Sequence, residues 1–280
     1  MNKKILTIGL AALLSVSMLA GCGGQDSSED KTETTAVTDE SLKKVQDQGY
    51  FTLGLDADFA PMGYTNDAGE IVGFDIDLAK AVAEKIGVEV KVQPINWDSK
   101  NLELSSGSID VIWNGFSIND DRRTEVLFSN PYLSTKQSVI VRADSDIATK
   151  ADLAGKKIAL QGGSTSEEAV KADEETFATI GEENLVRFDE NSLVLMEVQA
   201  GRADAAVIDE VFVRYYLEEH GMSDQFKVLE EGFDEEDYGV GGRLGDYSLM
   251  EAINKALDDC KAEGITSEIS VKWFGEDIIK

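Results

Sequence analysis

The sequence predicts an α/β fold of doubly wound layers, and three observations carry the prediction. Short apolar runs of strand character alternate with amphipathic helical stretches along most of the chain. The connections between them are short, as in β-α-β-α-β units. The alternation also runs twice, with a break at Ser129-Asn-Pro-Tyr-Leu133 between the two series. In such layers a ligand crevice is expected beyond the carboxyl ends of the strands.

In the first series, a short helix over 41–48 leads into an apolar strand over 50–55. That strand runs out at Asp56-Ala-Asp-Phe-Ala-Pro-Met62, where polar, aromatic and proline residues gather. Turn chemistry at Asn66-Asp-Ala-Gly69 precedes a short return over 70–74. Residues 75–86 form an amphipathic helix, with Ile76, Ala79, Val82, Ala83 and Ile86 at helical spacing and Gly87 as its stop. Residues 88–93 alternate as a strand, and Asn96-Trp-Asp-Ser99 caps a helix over 100–106.

The strand over 107–113 then runs into Asn114-Gly-Phe-Ser-Ile-Asn-Asp-Asp-Arg122. Ser117, Asn119 and Asp120 offer N-cap chemistry, and Asp121 stands in the first turn of a short helix. A strand that ends in a helix start leaves backbone N–H groups free at its tip. Arg122 lies just beyond, and a guanidinium fork matches a carboxylate in bidentate geometry. Local spacing equally fits a surface ion pair, because acids are plentiful. The convergence of 56–62, Trp97 and 114–122 at the strand ends favours a pocket for a small carboxylate.

The second series has strands over 137–142, 156–160, 184–188 and 204–208, with helices over 152–155, 192–200 and from 210 to about His220. Gln161-Gly-Gly-Ser-Thr-Ser-Glu167 is a glycine-rich turn opening another helix. Such a turn either holds an anion on its N–H groups or simply permits a tight bend. It is not a phosphate loop, since the required Lys and Ser/Thr pattern is missing. Strands over 226–229 and 238–243 precede a long amphipathic helix over 247–263, on which Met250, Ile253, Ala256, Leu257 and Cys260 share a face. Gly264 stops it, and a last helix carries Ile269, Trp273 and Phe274.

The two termini of the chain differ in kind. Lys3 and Lys4 precede an apolar run over 5–20, shorter than a membrane-spanning helix requires, which reads as an export signal. It closes on Leu19-Ala20-Gly21-Cys22, which resembles the lipobox of bacterial lipoproteins. That resemblance implies a lipid-modified thiol at Cys22, anchoring the protein to the extracytoplasmic face of the cell membrane without spanning it. Residues 1–22 are then signal, and 23–40, almost devoid of apolar side chains, a flexible tether.

With Cys22 acylated, Cys260 has no partner and a disulfide framework is excluded; Cys260 reads as a small buried apolar residue. One histidine, His220, follows Glu218-Glu219 on a polar helix end, so metal and triad chemistry lack their raw material. No metal or cofactor is therefore expected. The formal net charge is −28, from 26 basic and 54 acidic residues, and loss of the leader lysines makes it more negative. Such a surface repels nucleic acid and anionic lipid.

Five motifs, occurring together and in order, resemble the extracellular solute-binding proteins, family 3, of polar amino acid ABC transporters. They are GxDxxFxPM over 54–62, GFDIDLAKAVAEKIG over 73–87, GxSIxxDR over 115–122, QGGSTSEE over 161–168 and GRADAAVIDE over 201–210. The resemblance implies two α/β lobes joined by two hinge strands, the periplasmic-binding-protein-like type II arrangement. Lobe one would comprise 41–133 plus 238–280, and lobe two 134–237. It implies a monomeric receptor, not an enzyme, that captures an L-amino acid and hands it to a membrane permease.

Carried over residue by residue, Arg122 would clamp the ligand α-carboxylate, helped by Ser117, the Gly115 backbone, Ser164 and Thr165. Asp209 would take the α-ammonium group. Phe59 and Trp97 would sandwich the side chain, with Asp56, Asn114 and Gln161 near its polar end. Gly115 and Gly163 stand where many members carry hydroxyl residues, so some hydrogen bonds there would come from backbone or water. Asp58 is a second acid beside Asp56, and reads either as favouring a cationic ligand or as a solvated loop acid.

A basic amino acid suits the acids and aromatics; glutamine or cystine suits the aromatics and amides. Two rivals stand beside this reading. The fold also resembles that of extracytoplasmic dehydratases, which need a proton donor near a leaving group; His220 is outside the expected crevice, though a carboxyl group would serve. A sensor module is the other rival, and would require a signalling partner in trans.

Overall fold

The computed structural model describes residues 39–280; the export signal, Cys22 and the tether as far as residue 38 lie outside the described residues. Helix α1 (Ser41–Gln48) ends on Gly49 and delivers the chain to β1 (Tyr50–Leu55). Out of the loop after β1 folds a small antiparallel meander, β2 (Asp58–Phe59), β3 (Gly63–Thr65) and β4 (Ile71–Val72). Sequence alone left β2 as loop, because a two-residue strand has no periodicity to read.

Helix α2 (Phe74–Ile86) buries Ile76, Ala79, Val82 and Ala83, and Gly87 at φ 84° ends it in the left-handed conformation that favours glycine. It begins one residue earlier than the pattern suggested, with Phe74 fully buried. Then follow β5 (Glu89–Pro94), α3 (Lys100–Ser106), β6 (Val111–Ile112), β7 (Ser117–Ile118), the one-turn α4 (Asp120–Arg123) and β8 (Val126–Phe128).

The second series comprises β9 (Leu133–Arg142), β10 (Ile158–Gln161), α5 (Thr165–Ala172), α6 (Glu174–Ile180), β11 (Leu185–Phe188), α7 (Asn191–Gln199), β12 (Ala205–Asp209), α8 (Glu210–Glu219) and β13 (Phe226–Tyr238). β14 (Gly241–Arg243), α9 (Tyr247–Ala262) and α10 (Ile265–Phe274) complete the chain. Helix α6 is absent from the sequence reading. Asp173 breaks the helical run and caps a new helix by accepting from the Thr176 N–H at 3.0 Å.

The strands form two principal sheets, ordered β5-β1-β6-β14-β8 and β11-β10-β12-β9-β13-β7. β1 has parallel partners on both sides, as does β10, which explains why both read as continuous apolar runs. Apart from the two-residue β7, which leaves its lobe's sheet to pair with the end of β13, the chain passes between the sheets twice, from β8 to β9 and from β13 to β14. Two lobes result, one on each principal sheet.

The crossing region differs most from expectation. β9 starts at Leu133, before the predicted 137, because Leu133, Ser134, Thr135 and Lys136 pair with the end of β13. β13 unites the segment over 226–229 with Tyr238 in one strand, and its register shifts around Gly232. A Cβ there would stand 2.8 Å from the Gln137 carbonyl oxygen, so the irregularity needs a glycine. Cys260 is fully buried on α9, in the apolar role expected of it. No helix among the described residues is long and apolar enough to cross a membrane.

Candidate functional site

Loops at the carboxyl ends of β1 and β6 face loops at the ends of β10, β11 and β12, and a narrow cleft lies between them. Asp56, Phe59, Trp97, Asn114, Gly115 and Arg122 line it from the first lobe. Gln161, Ser164, Thr165 and Asp209 line it from the second, with Gln137, Ser166 and Asn191. Every residue assigned a ligand contact from the sequence is therefore on this wall except Ser117, and Asp58, the second acid beside Asp56, also lies off it. The Ser117 hydroxyl pairs instead with the Thr165 hydroxyl at 3.2 Å, and its carbonyl accepts from Arg122 Nη1 at 3.1 Å. Ser117 thus supports the wall from behind.

Arg122 is placed by its one-turn helix, whose N-cap Asn119 accepts the Arg122 backbone N–H at 2.8 Å. The buried guanidinium lies 4.7 Å from the Phe116 ring centroid. Its Nε and Nη2 donate to Glu168 Oε1 of the second lobe, at 3.3 and 3.1 Å, and Nη1 donates to the Ser117 carbonyl. A guanidinium has five N–H groups, so one on Nη1 and one on Nη2 remain uncommitted among the described residues. Those two, one on each terminal nitrogen, are available to a carboxylate, which a guanidinium binds with charge-assisted hydrogen bonds. Burial pushes the Arg122 pKa down, and the Glu168 carboxylate opposes that shift. Opposite the guanidinium, α5 opens at Thr165, and the first N–H groups of a helix have no intrahelical partner.

Gly115 does not serve as expected. Its N–H donates to the fully buried Asp75 at 2.6 Å and so is committed to the interior. Gly115 adopts φ +53°, and a Cβ there would fall 2.7 Å from the Phe59 ring and 3.0 Å from Tyr238. A hydroxyl residue is excluded by space as well as by backbone conformation. Gly163 is comparable: at φ +66°, an added Cβ would lie 2.8 Å from Asp98 Oδ1 of the facing lobe. The Gly163 carbonyl accepts from the buried Lys100 Nζ at 2.7 Å across the cleft. Burial, with Arg122 nearby, pushes the Lys100 pKa down to about 8.

Asp209 ends β12 and caps α8, accepting from the Val211 N–H at 2.9 Å. Its carboxylate also accepts from Thr135 Oγ1 at 3.0 Å, from Gln137 Nε2 at 3.4 Å and from the Tyr238 hydroxyl. Burial pushes its pKa up to about 7; the bond from Tyr238 opposes this and the Glu236 carboxylate reinforces it. The Gln137 contact is the longest of the four, and Gln137 Nε2 has a second acceptor, Thr165 Oγ1, at 3.2 Å. By length it is the weakest of the four.

The far end of the cleft is acidic. Asp56 is buried, and its pKa rises to about 6 through burial, with bonds from Asp58 and Gln161 opposing and the Asp58 and Glu190 carboxylates reinforcing the shift. Gln161 Nε2 donates to Asp56 Oδ2 at 2.6 Å and to the Asp189 carbonyl at 2.8 Å. Asn114 Oδ1 accepts from the Asp56 backbone N–H at 3.1 Å, so Asn114 positions the Asp56 loop. Phe59 stacks on Phe212 of the second lobe, with centroids 5.5 Å apart, and Trp97 meets Phe116 edge-on at 5.8 Å. No ion pair among the described residues involves Asp56, although charge is plentiful nearby.

Three wall residues escaped the sequence reading. Gln137 lies directly opposite Asp209 in the β9–β12 register, but it sits in the polar first half of β9, among Ser134, Thr135, Lys136 and Ser138, where nothing in the sequence sets it apart. Asn191 and Ser166 stand at helix starts that follow strand ends, the same context that singled out Ser117 and Ser164. Among the described residues no cluster of potential metal ligands exists. His220 is exposed at the end of α8, stacked on Tyr216.

A cleft between two α/β lobes, with a carboxylate fork on one side and a buried acid on the other, defines a receptor for a small zwitterion or its like. Residues 51–276 match the model of the bacterial extracellular solute-binding proteins, family 3, and the chain belongs to that family. It is 28% identical over 280 residues to the L-cystine-binding protein TcyJ of Escherichia coli (strain K12), covering 99% of this chain and 100% of that one. It is 31% identical over 288 residues to the ABC transporter glutamine-binding protein GlnH of Bacillus subtilis (strain 168), covering 98% of each. Among solved structures it resembles an ABC uptake transporter substrate binding protein from Streptococcus pneumoniae with bound histidine. The TM-score there is 0.84 and the identity 38%, covering 87% of this chain and 99% of that chain.

Proposed function

We propose that this protein is the substrate-binding component of an ABC importer, capturing a polar, basic L-amino acid between its closing lobes and delivering it to a membrane permease. One observation carries the choice of ligand class: the Arg122 fork and the Asp56 acid stand at opposite ends of one cleft, with Asp209 beside it. The ligand α-carboxylate docks to Nη1 and Nη2 of Arg122, aided by the start of α5 at Ser164 and Thr165. Its α-ammonium takes the place of Gln137 on Asp209. The stem lies against Phe59 and Trp97, and the cationic head meets Asp56.

Uncharged Gln161 and Asn191 beside Asp56 favour glutamine as the second reading. The binding role, rather than an enzymatic one, draws support from relatives named for binding alone and from the absence of histidine on the cleft wall. The lobes are proposed to comprise 41–133 plus 238–280 and 134–237, a division supported by the chain's passages from β8 to β9 and from β13 to β14. We further propose that the mature chain acts as a monomer anchored through lipid on Cys22; its lipobox supports the anchor.

A thermal-shift screen against the twenty amino acids plus ornithine, citrulline and cystine tests the function. Stabilisation by arginine, lysine or ornithine above all others is expected. Binding of none of the three would end the basic assignment, and no response to any amino acid would end the transport reading.

A further inference from the structure

Asp58 was ambiguous as sequence, and the structure gives it a task neither reading foresaw. It stands on β2 in the first lobe, off the cleft wall, and its Oδ2 accepts the Ser192 backbone N–H at 3.0 Å. Ser192 is in the first turn of α7, in the second lobe, and Glu190 at the head of that helix supplies no side-chain cap. The cap therefore comes from the opposite lobe, 134 residues away in sequence.

The contact belongs to a closed circuit. The Asp58 N–H donates to Asp56 Oδ1 at 2.9 Å, while Asp56 Oδ2 accepts from Gln161 Nε2 at 2.6 Å. Gln161 Oε1 in turn accepts from Asn191 Nδ2 at 3.1 Å, and Asn191 precedes Ser192 in the same helical turn. The circuit crosses the cleft twice, at Asp58–Ser192 and at Gln161–Asp56. Loss of either crossing frees the other from its geometric restraint. Two of its members, Asn191 and Gln161, face the ligand space from the second lobe.

We propose that Asp58 is a positioning residue: by capping α7 across the cleft it holds Asn191 and Gln161 against Asp56, and so sets how long the closed lobes retain a ligand it does not touch. This rests on the reading above that the lobes close on an amino acid. Because the cap forms only when the lobes meet, its loss appears in the dissociation rate more than in the association rate. Because Asp58 makes no ligand contact, its loss appears equally for charged and neutral ligands.

Two variants approach the contact from opposite sides. Asp58→Ala removes the acceptor, and Ser192→Pro removes the donor N–H at a first-turn position where proline is tolerated. L-arginine, L-histidine, L-glutamine and L-cystine serve as probes, with stopped-flow or surface-based kinetics as readout. Each variant is expected to weaken every probe that binds wild type by the same factor, about three- to thirty-fold as for loss of a helix cap, with most of the change in dissociation. The double variant should be no weaker than the worse single one, since both remove one contact.

Selective loss of arginine and histidine would instead make Asp58 a counter-charge for the ligand, and overturn the proposal. Additive losses, or unchanged dissociation in both variants, would overturn it too. If wild type binds none of the four probes, the thermal-shift screen against all amino acids decides the transport reading separately. The cap is then read from spin labels on the two lobes of ligand-free protein. Asp58→Ala must deplete the short-distance population, and an unchanged distribution overturns the proposal.

Discussion

The two ends of the cleft are built on opposite principles. At the Arg122 end a buried cation already has a partner, Glu168, yet keeps two N–H groups to spare. At the Asp56 end buried acid is in excess, and no cation pairs with it. The first end offers geometry, a fork that fits one shape; the second offers charge, which fits many shapes. The difference separates two kinds of recognition. On the proposed reading, the ligand's amino acid backbone is held through hydrogen-bond direction, whereas its side chain is discriminated by a carboxylate held in a low-dielectric corner.

The largest expected effect breaks the first end. Arg122→Ala removes one partner of a desolvated ion pair, a loss on the order of 2–5 kcal/mol, which turns micromolar binding into millimolar or none. Calorimetry of the folded variant checks it. Retention of affinity within a few-fold would remove Arg122 from the site.

The second prediction sharpens the contrast. Asp56→Asn should weaken arginine or lysine ten-fold or more, since loss of a charge-assisted hydrogen bond costs about 1.5–3 kcal/mol. Glutamine should be affected far less. Titrating both ligands into both proteins reads the difference, and equal losses would show that the Asp56 end does not read charge.

A third concerns pH. Asp209 must be ionised to hold the ammonium group, and its pKa in the free protein is raised to about 7. Ligand binding stabilises the ionised form, so affinity should be full above pH 8 and decline as pH falls through 7, approaching ten-fold per unit. Asp209 alone sets the opposite trend for the fold: its raised pKa favours the protonated native state, and that contribution fades as pH rises from about 4 to 7. Affinity measured from pH 5 to 9 checks the first statement, and melting temperature of ligand-free Asp209→Asn against wild type the second.

The smallest effect is assigned to Glu168. Its carboxylate is partly exposed, and exposed pairs contribute about 0–1 kcal/mol. Glu168→Gln should weaken ligand by no more than about five-fold, less at high salt. A loss comparable to that of Arg122→Ala would mean that the pair, and not the free fork, carries recognition.

Much of the architecture was legible because it depends on local pattern. β1 and α2 announce themselves through apolar runs, helical spacing and terminal glycines. Arg122 was legible as a cleft residue because strand ends in doubly wound layers converge, whereas Asp209 and Gln161, which line the same cleft, were reached through the family resemblance. Asp58, Glu168 and Asn191 were not legible, because their partners lie 134, 46 and 30 residues away and the pairing exists only in three dimensions. The misassigned Gly115 N–H belongs to the same class: its acceptor, Asp75, sits on a helix 40 residues earlier. β13 was read as two strands because its glycine-centred irregularity interrupts the alternation that sequence reading depends on.

Gly163 carries a consequence for engineering. Its bare α-carbon faces Asp98 of the other lobe at a backbone φ of +66°, so a methyl group there would both strain the loop and push the Asp98 carboxylate aside. A missing side chain thus sets how closely the lobes approach at this point, one residue before Ser164. Gly163→Ala acts as a mechanical shim between the lobes. It offers a way to lower affinity, which is the adjustment needed to match a fluorescent amino acid sensor to the concentrations of a growth medium.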